Sequence, residues 1–463
     1  MKTRPVGRLI ACATVMIALA AAAFAQSAGT GVPRDITLEE AVERALSSSS
    51  RLEAGRATMD ARSAAEAQAE AGRLPALDLE ATYMRMKEQE PATIPLPDPP
   101  QGPGPVTLGE SIENSYGVTL SLRQPLFTGG EISSRVEAAN RALAASRSTY
   151  HWERSGVVLE VRTAYWNLVE AEFRVETLEE RVRQVEANLE NMESRFSNGV
   201  VTRNEVLTVE MKLAEARLKL LRARNGRELA ATRLALLTGL DPEQELRPAT
   251  TLPSARPDGP GDDAPEPASP DLQSLIDTAL AGRGDLAELR ATLDASEAAE
   301  RTARSGWFPE LFLAGEYTYA RPNQASFPVE DEFERSWRVG VVGRIALGDM
   351  PRVYHESSQR DAERTAAAAR LEAAEDRVRL GVREAYLSYQ SSGRELELAR
   401  TMVRQAEENL ADTRVRVENG VALNEDLLEA QATLLDARLA LTSALTGRRI
   451  AWDQLMRRTG REL

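Results

Sequence analysis

Arg195 to Leu218 reads RFSNGVVTRNEVLTVEMKLAEARL, and Arg416 to Leu439 reads RVENGVALNEDLLEAQATLLDARL. Each is a helix, an Asn-Gly turn and a second helix. The two stretches lie 221 residues apart, and matches at that spacing continue on both sides. Ala164-Tyr165 pairs with Ala385-Tyr386, Val182-Arg183-Gln184 with Val403-Arg404-Gln405, and Thr238-Gly239 with Thr459-Gly460. The chain is therefore a duplicated unit built on a long helical hairpin. Two repeats are too few for a solenoid, so the surfaces they leave open call for burial in further copies of the chain.

The helices flanking each turn carry a regular apolar seam. Val175, Leu178, Val182, Val185, Leu189, Met192 and Phe196 step by three and four, and Leu396, Ala399, Val403, Ala406, Leu410, Thr413 and Val417 hold the matching positions. That spacing predicts left-handed coiled-coil packing. The return helices continue it through Val206, Val209, Leu213 and Leu220, and through Leu427, Ala430, Leu434 and Leu441. Arg227 and Arg448 interrupt the two seams at the same place, and the expectation is that each lies along the seam edge with its charge in water. Proline-free runs from Gly130 and from about Arg352 predict helices of about 68 residues before each tip, roughly 100 Å long at 1.5 Å per residue. Long helices are thus expected over 130–240 and 352–460.

Upstream of each hairpin the period changes from 3.6 to 2. Leu77, Leu79, Ala81 and Tyr83 alternate with Asp78, Glu80, Thr82 and Met84, and Tyr116, Val118, Leu120 and Leu122 alternate with Gly117, Thr119, Ser121 and Arg123. The second half repeats this with Leu311, Leu313, Tyr317 and Tyr319, then Trp337, Val339, Val341 and Ile345, with Arg338 and Arg344 on the other side. Strands are predicted at about 75–87, 115–125, 309–320 and 336–347. Each has one apolar and one polar face and about ten residues, the length and pattern of transmembrane β-strands. Tyr83, Tyr116, Tyr319 and Trp337 at the strand ends suit membrane interfaces. Four strands cannot close a barrel with an open lumen, and unpaired edges cannot face lipid, so oligomerisation must complete the sheet.

A helix is expected from Leu38 to Gly72, opened by the capping box Thr37 and Glu40 and weakened at Ser47 to Ser50. Its counterpart runs from Asp271 to Gly306. Pro91 to Pro105 reads as a Pro/Gly loop. Residues 241–270, rich in Pro, Asp and Gly, read as an irregular linker between a first repeat, 26–240, and a second, 271–463.

Lys2, Arg4 and Arg8 precede an apolar run ending at Ala23-Phe24-Ala25, the pattern of a secretory signal over 1–25. The single cysteine, Cys12, falls inside that run. The apolar core follows it rather than preceding it, which argues against a lipidated cysteine. The mature chain would then hold neither a disulfide nor a thiolate metal site. With 463 residues, a net charge of -14 and 5% aromatics, the composition is that of long helices and excludes a phosphate-neutralising nucleic-acid face.

Export signal, helix, strand, strand, long helix, turn and long helix, all duplicated, resembles the TolC-type outer-membrane efflux proteins (outer membrane factors). The motifs that carry the resemblance are Gln124-Pro125-Leu126-Phe127-Thr128-Gly129-Gly130 at a strand exit, the twice-used Asn-Gly-Val tip, and Thr-Gly near the end of each half. The second strand exit departs from the pattern, reading Ile345-Ala346-Leu347-Gly348-Asp349. The resemblance implies a mainly α fold with transmembrane β: a homotrimer forming a twelve-stranded β-barrel, four strands per chain, above a periplasmic α-helical barrel. It implies an outer-membrane exit channel of a tripartite efflux or type I secretion system, passively serving an inner-membrane RND or ABC pump through a periplasmic adaptor. It also implies adaptor contacts at Asn198, Gly199 and Val200 and at Asn419, Gly420 and Val421. Finally, it implies a periplasmic aperture narrowed by Asp426 and Glu429, which sit three apart on one helical face and would form a ring of six carboxylates. Their first-half counterparts are Glu205 and Thr208.

Three bland readings stand beside these. The tip glycines can be turn residues alone, and an acidic helix start suits the helix dipole. His151 and His355, the only histidines, have no recognisable partners and read as structural. No phosphate loop, zinc-protease helix or nucleophile elbow occurs, so neither an enzyme nor a cofactor is expected. The competing class is a soluble periplasmic coiled-coil adaptor or scaffold, which would show one hairpin flanked by compact β-domains.

Overall fold

A computed structural model describes residues 34–87, 92–94, 106–108, 113–250, 271–326 and 330–461. The signal expected over 1–25, with Cys12, and residues 251–270 of the linker lie outside these. Eight helices order the described chain: α1 (Leu38–Ser48), α2 (Ser50–Ala71), α3 (Glu131–Ser197), α4 (Arg203–Thr238), α5 (Leu272–Gly282), α6 (Gly284–Ser305), α7 (Met350–Glu418) and α8 (Asn424–Arg458). The strands are β1 (Arg34–Ile36), β2 (Ala76–Arg85), β3 (Ala92–Ile94), β4 (Val106–Leu108), β5 (Asn114–Phe127), β6 (Leu246–Pro248), β7 (Glu310–Arg321) and β8 (Glu334–Arg344).

Two compact units contain these elements, and each draws on both repeats: one takes the described residues within 1–52, 153–281 and 380–463, the other those within 53–152 and 282–379. In the first unit the hairpin seams are buried as the periodicity predicts. Leu178, Val182, Val185 and Met192 of α3 pack on Val206, Val209, Leu213, Ala216 and Leu220 of α4. Leu396, Ala399, Val403 and Ala406 of α7 pack on Leu434, Ala437 and Leu441 of α8. Phe196, the last apolar residue of the first seam, is exposed where the helix ends. A second stripe on α4 stays uncovered: Leu207, Met211, Leu218, Leu221, Leu229 and Leu236 are all exposed.

The linker departs from its reading as irregular chain. Leu246–Pro248 pairs in parallel with Arg34–Ile36, and the pairing is extended by bonds from Arg34 N to Glu245 O and from Ala249 N to Ile36 O. Arg227 helps to hold it there, and this revises the expectation of a charge free in water. The guanidinium donates to Glu172 Oε2 at 2.6 Å, to Glu245 Oε1 at 3.1 Å and to Leu246 O at 3.4 Å. Burial opposes its charge, but the two carboxylates outweigh burial and raise its pKa.

The second unit holds the antiparallel sheet β2-β5-β7-β8. Its register aligns one face as the rows Leu77–Leu122–Gly315–Val339 and Leu79–Leu120–Tyr317–Trp337. That face is open: Leu79 is 72% exposed and Trp337 76%. Tyr83 and Tyr116 meet at 5.0 Å, and Tyr319 stacks on Phe333 at 5.1 Å. At the opposite strand ends Phe127, Trp307 and Phe308 are exposed. The other face is polar, with Glu316 salt-bridged to Arg338 at 2.5 Å and Arg123 lying 4.1 Å over the Phe312 ring.

The helix expected over 38–72 is split at Ser49, within the weak serine cluster. The fourth strand stops at Arg344, so Ile345 falls outside it, and a 3-10 turn at Leu347–Asp349 leads into α7. The first exit differs because Gly129 has φ 61°, and a Cβ there would lie 2.7 Å from Ser305 O. Only glycine fits that corner. The expected loop over 91–105 contains β3, which pairs with β4.

Candidate functional site at the hairpin tips

Both tips close by the same backbone device. At the first, Gly199 N bonds to Phe196 O at 2.9 Å and Val200 N to Arg195 O at 2.9 Å. At the second, Gly420 N bonds to Val417 O at 3.0 Å and Val421 N to Arg416 O at 2.8 Å. These are Schellman motifs, in which a left-handed residue lets the last helical carbonyls find donors. Gly199 and Gly420 supply it with φ 75° and 71°. Asn198 and Asn419 each turn Nδ2 back onto a helical carbonyl at 2.8 Å. Val200 and Val421 project outward, 62% and 70% exposed. Turn chemistry thus accounts for Asn and Gly, and it leaves the exposed valines without an internal role.

The helix starts beyond the turns differ. Glu205 Oε2 accepts from Thr202 N at 2.6 Å and from Thr202 Oγ1 at 2.8 Å, and these bonds lower its pKa. In the second hairpin the N-cap is Leu423, which has no side-chain oxygen. Asp426 Oδ2 accepts from Leu423 N at 2.8 Å. Asp426 and Glu429 are both exposed on α8, whereas Leu428 between them is buried in the first hairpin's core. Both carboxylates therefore lie off the packed side of their helix.

Side chains from the two hairpins meet just above the tips. Asn424 Nδ2 donates to Asn188 Oδ1 at 3.0 Å. Arg181 is buried and donates to Leu428 O at 3.2 Å and Gln431 Oε1 at 3.1 Å. Burial lowers its pKa, against the pull of Asp436 and Glu215. The sequence reading passed over Arg181. Its one signal was asymmetry, since Met402 stands at the equivalent place in the second repeat. Further along, Arg162 pairs with the buried Asp453 at 2.7 Å, and Arg449 lies 4.4 Å over the Trp166 ring. The histidines stack against neighbouring tyrosines, Tyr150 with His151 and Tyr354 with His355. Among the described residues, no three His, Cys, Asp or Glu side chains gather as a metal site, and no helix is long and apolar enough to cross a membrane.

An open sheet with one apolar face, joined in one chain to two coiled-coil hairpins, defines a protomer of an outer-membrane channel. Residues 41–240 and 275–461 match the outer membrane efflux protein family, and the chain belongs to it. Alkaline protease secretion protein AprF of Pseudomonas aeruginosa is 26% identical over 350 residues, covering 74% of this chain and 69% of AprF. Outer membrane protein OprJ of the same organism is 25% identical over 393 residues, covering 84% of this chain and 77% of OprJ. Among solved structures, the outer membrane protein VceC of Vibrio cholerae superposes with a TM-score of 0.73 at 20% identity, over 91% of this chain and 96% of that one.

Proposed function

We propose that this chain is one third of a passive outer-membrane exit channel. Three copies close the four-stranded sheet into a barrel and the hairpins into a periplasmic tube. An inner-membrane pump and a periplasmic adaptor deliver the cargo, and the chain itself performs no catalysis. The observation that carries this reading is the sheet β2-β5-β7-β8. Both its edges are unpaired among the described residues, and its apolar face is bare. In water such a sheet is a liability, and in lipid its edges demand partners. The family is that of outer membrane efflux proteins and one relative is a protease secretion protein, so type I secretion and small-molecule efflux are both open to this duct.

Asp426 and Glu429 form the aperture in this reading. Their exposure beside a packed Leu428 supports it, because threefold symmetry would gather such side chains around the axis. Val200 and Val421 are the adaptor contacts, supported by their exposure on rigidly closed turns. The deciding experiment is fractionation followed by bilayer recording. Heat-modifiable trimers in the outer membrane that conduct ions support the channel; a soluble periplasmic monomer overturns it in favour of the adaptor class.

A further inference from the structure

Inside the sheet, charges on the polar face tend to find partners across the strands. Glu316 pairs with Arg338 at 2.5 Å and Glu310 with Arg123 at 3.9 Å. The two edge strands carry what is left over. Asp78 and Glu80 lie on β2 opposite Ser121 and Thr119, which offer no cation. Arg344 ends β8 opposite Glu310, whose carboxylate is the one near Arg123. None of Asp78, Glu80 and Arg344 forms an ion pair within the described residues, and all three are exposed. At the end of the sheet where β2 begins and β8 finishes, one edge is thus acidic and the other basic; the acidic Glu334 of β8 lies at the far end of that strand, ten residues from Arg344.

We infer that the seam between neighbouring copies in the barrel is closed by an ionic ladder on the polar face, with Asp78 and Glu80 of one copy against Arg344 of the next. This rests on the trimeric channel reading and adds its pairing rule. Successive antiparallel pairings leave β8 of one copy antiparallel to β2 of another when the two edges meet. Side chains share a face only if the seam is shifted by an even number of residues. The row through Asp78 ends at Arg338, and β8 continues past it to Arg344. Closing a barrel staggers its strands, and a stagger along β8 carries the next copy's Asp78 or Glu80 towards Arg344. The paired charges face water inside the barrel, while Leu77, Leu79, Trp337 and Val339 face lipid. Like edges repel and unlike edges attract, so the ladder also rejects pairing of β2 with β2 or β8 with β8.

The test is charge reversal in the full-length protein, read as the half-life of the detergent-purified trimer at a fixed elevated temperature. Arg344→Glu alone, and Asp78→Arg with Glu80→Arg, should each shorten that half-life about tenfold. That is what roughly half a kcal/mol at each of three seams amounts to. Combining all three changes should restore it, and combined variants no more stable than the separate ones would overturn the ladder. Because Cys12 is the only cysteine, a second measurement is available: Arg344→Cys with Asp78→Cys or with Glu80→Cys, each in a chain carrying Cys12→Ser. Oxidation should crosslink copies in at least one of the two, since a disulfide needs the Cα atoms within about 7 Å. No crosslink in either sinks the ladder while leaving a wild-type trimer intact. A wild-type monomer in detergent would sink the channel reading as well.

Discussion

Arg181 of the first hairpin donates to the main-chain oxygen of Leu428 in the second, at 3.2 Å. A buried cation whose hydrogen-bond acceptors among the described residues are a carbonyl and an amide is a weak source of stability but a strong source of register, because those acceptors fix where α8 sits along α3. Arg181→Met, the residue of the equivalent position in the other repeat, keeps the apolar stem and removes the charge. It should change thermal stability by less than about 1 kcal/mol, since the acceptors left behind are neutral. It should nevertheless loosen the second tip. Single-channel recordings should show more frequent openings, and unchanged opening would limit Arg181 to packing.

Asp453 is 2% exposed and pairs with Arg162 at 2.7 Å. Burial nevertheless raises its pKa, with Arg162 and Arg449 pulling the other way. The folded value lies above the ordinary 3.8. Its contribution to stability is therefore complete below that ordinary value and is lost as pH rises through the raised one. Asp453→Asn, which imitates the protonated form, should remove that loss. Melting curves between about pH 4 and pH 7 should be flatter for the variant than for the parent. Equal slopes would show that the Arg162 pair already neutralises the cost.

Gly199 and Gly420 occupy left-handed positions where an added Cβ would meet nothing within 4 Å. Substitution by alanine should therefore cost only the backbone term, about 1 kcal/mol at each tip. Hydrogen exchange at the Val200 and Val421 amides should quicken about fivefold, leaving the seam residues protected. A larger or propagated effect would mean that the turns are coupled to the hairpin cores.

Asp426→Asn and Glu429→Gln separate charge from capping, because an asparagine oxygen can still accept from Leu423 N. Together they should reduce cation selectivity and the block by multivalent cations in bilayers, with little change in stability. Asp426→Ala should in addition cost about 0.5–1 kcal/mol by losing the cap bond. Unchanged selectivity in the double variant would reject the carboxylate ring.

Arg227 bonds two carboxylates and a carbonyl at once. Arg227→Lys should not replace it, because a point charge cannot reproduce a forked donor. Limited proteolysis should cut both Arg227→Lys and Arg227→Ala near residues 240–250 faster than the parent. Equal rates would show that the pairing of β1 with β6 holds the segment without the clamp.

The hairpins, the four strands and the duplicated order were legible because each depends on a repeated period that a single chain displays many times over. Leu79 and Val403 announce their faces by their neighbours. What the sequence hid depends on distant single contacts. Leu246–Pro248 is three residues long, sits in a Pro-rich stretch, and becomes a strand only because Arg34–Ile36 lies beside it. Arg181 looks like any surface arginine until Leu428 closes over it. Arg227 looked like a seam-edge charge because its partners Glu172 and Glu245 lie on other segments. The tips fall between these cases: Asn-Gly dictated the turn, while the different helix caps at Thr202 and Leu423 emerged only from geometry.

The bare sheet face also sets a deadline. Leu77, Leu79, Trp337 and Val339 seek hydrocarbon, yet the exported chain reaches its membrane through an aqueous compartment. Until three copies meet at the bilayer, those side chains can adhere to any other unfinished copy. Biogenesis of this protein is therefore a race between insertion and clumping, and its yield should fall when synthesis outruns whatever escort shields the strands.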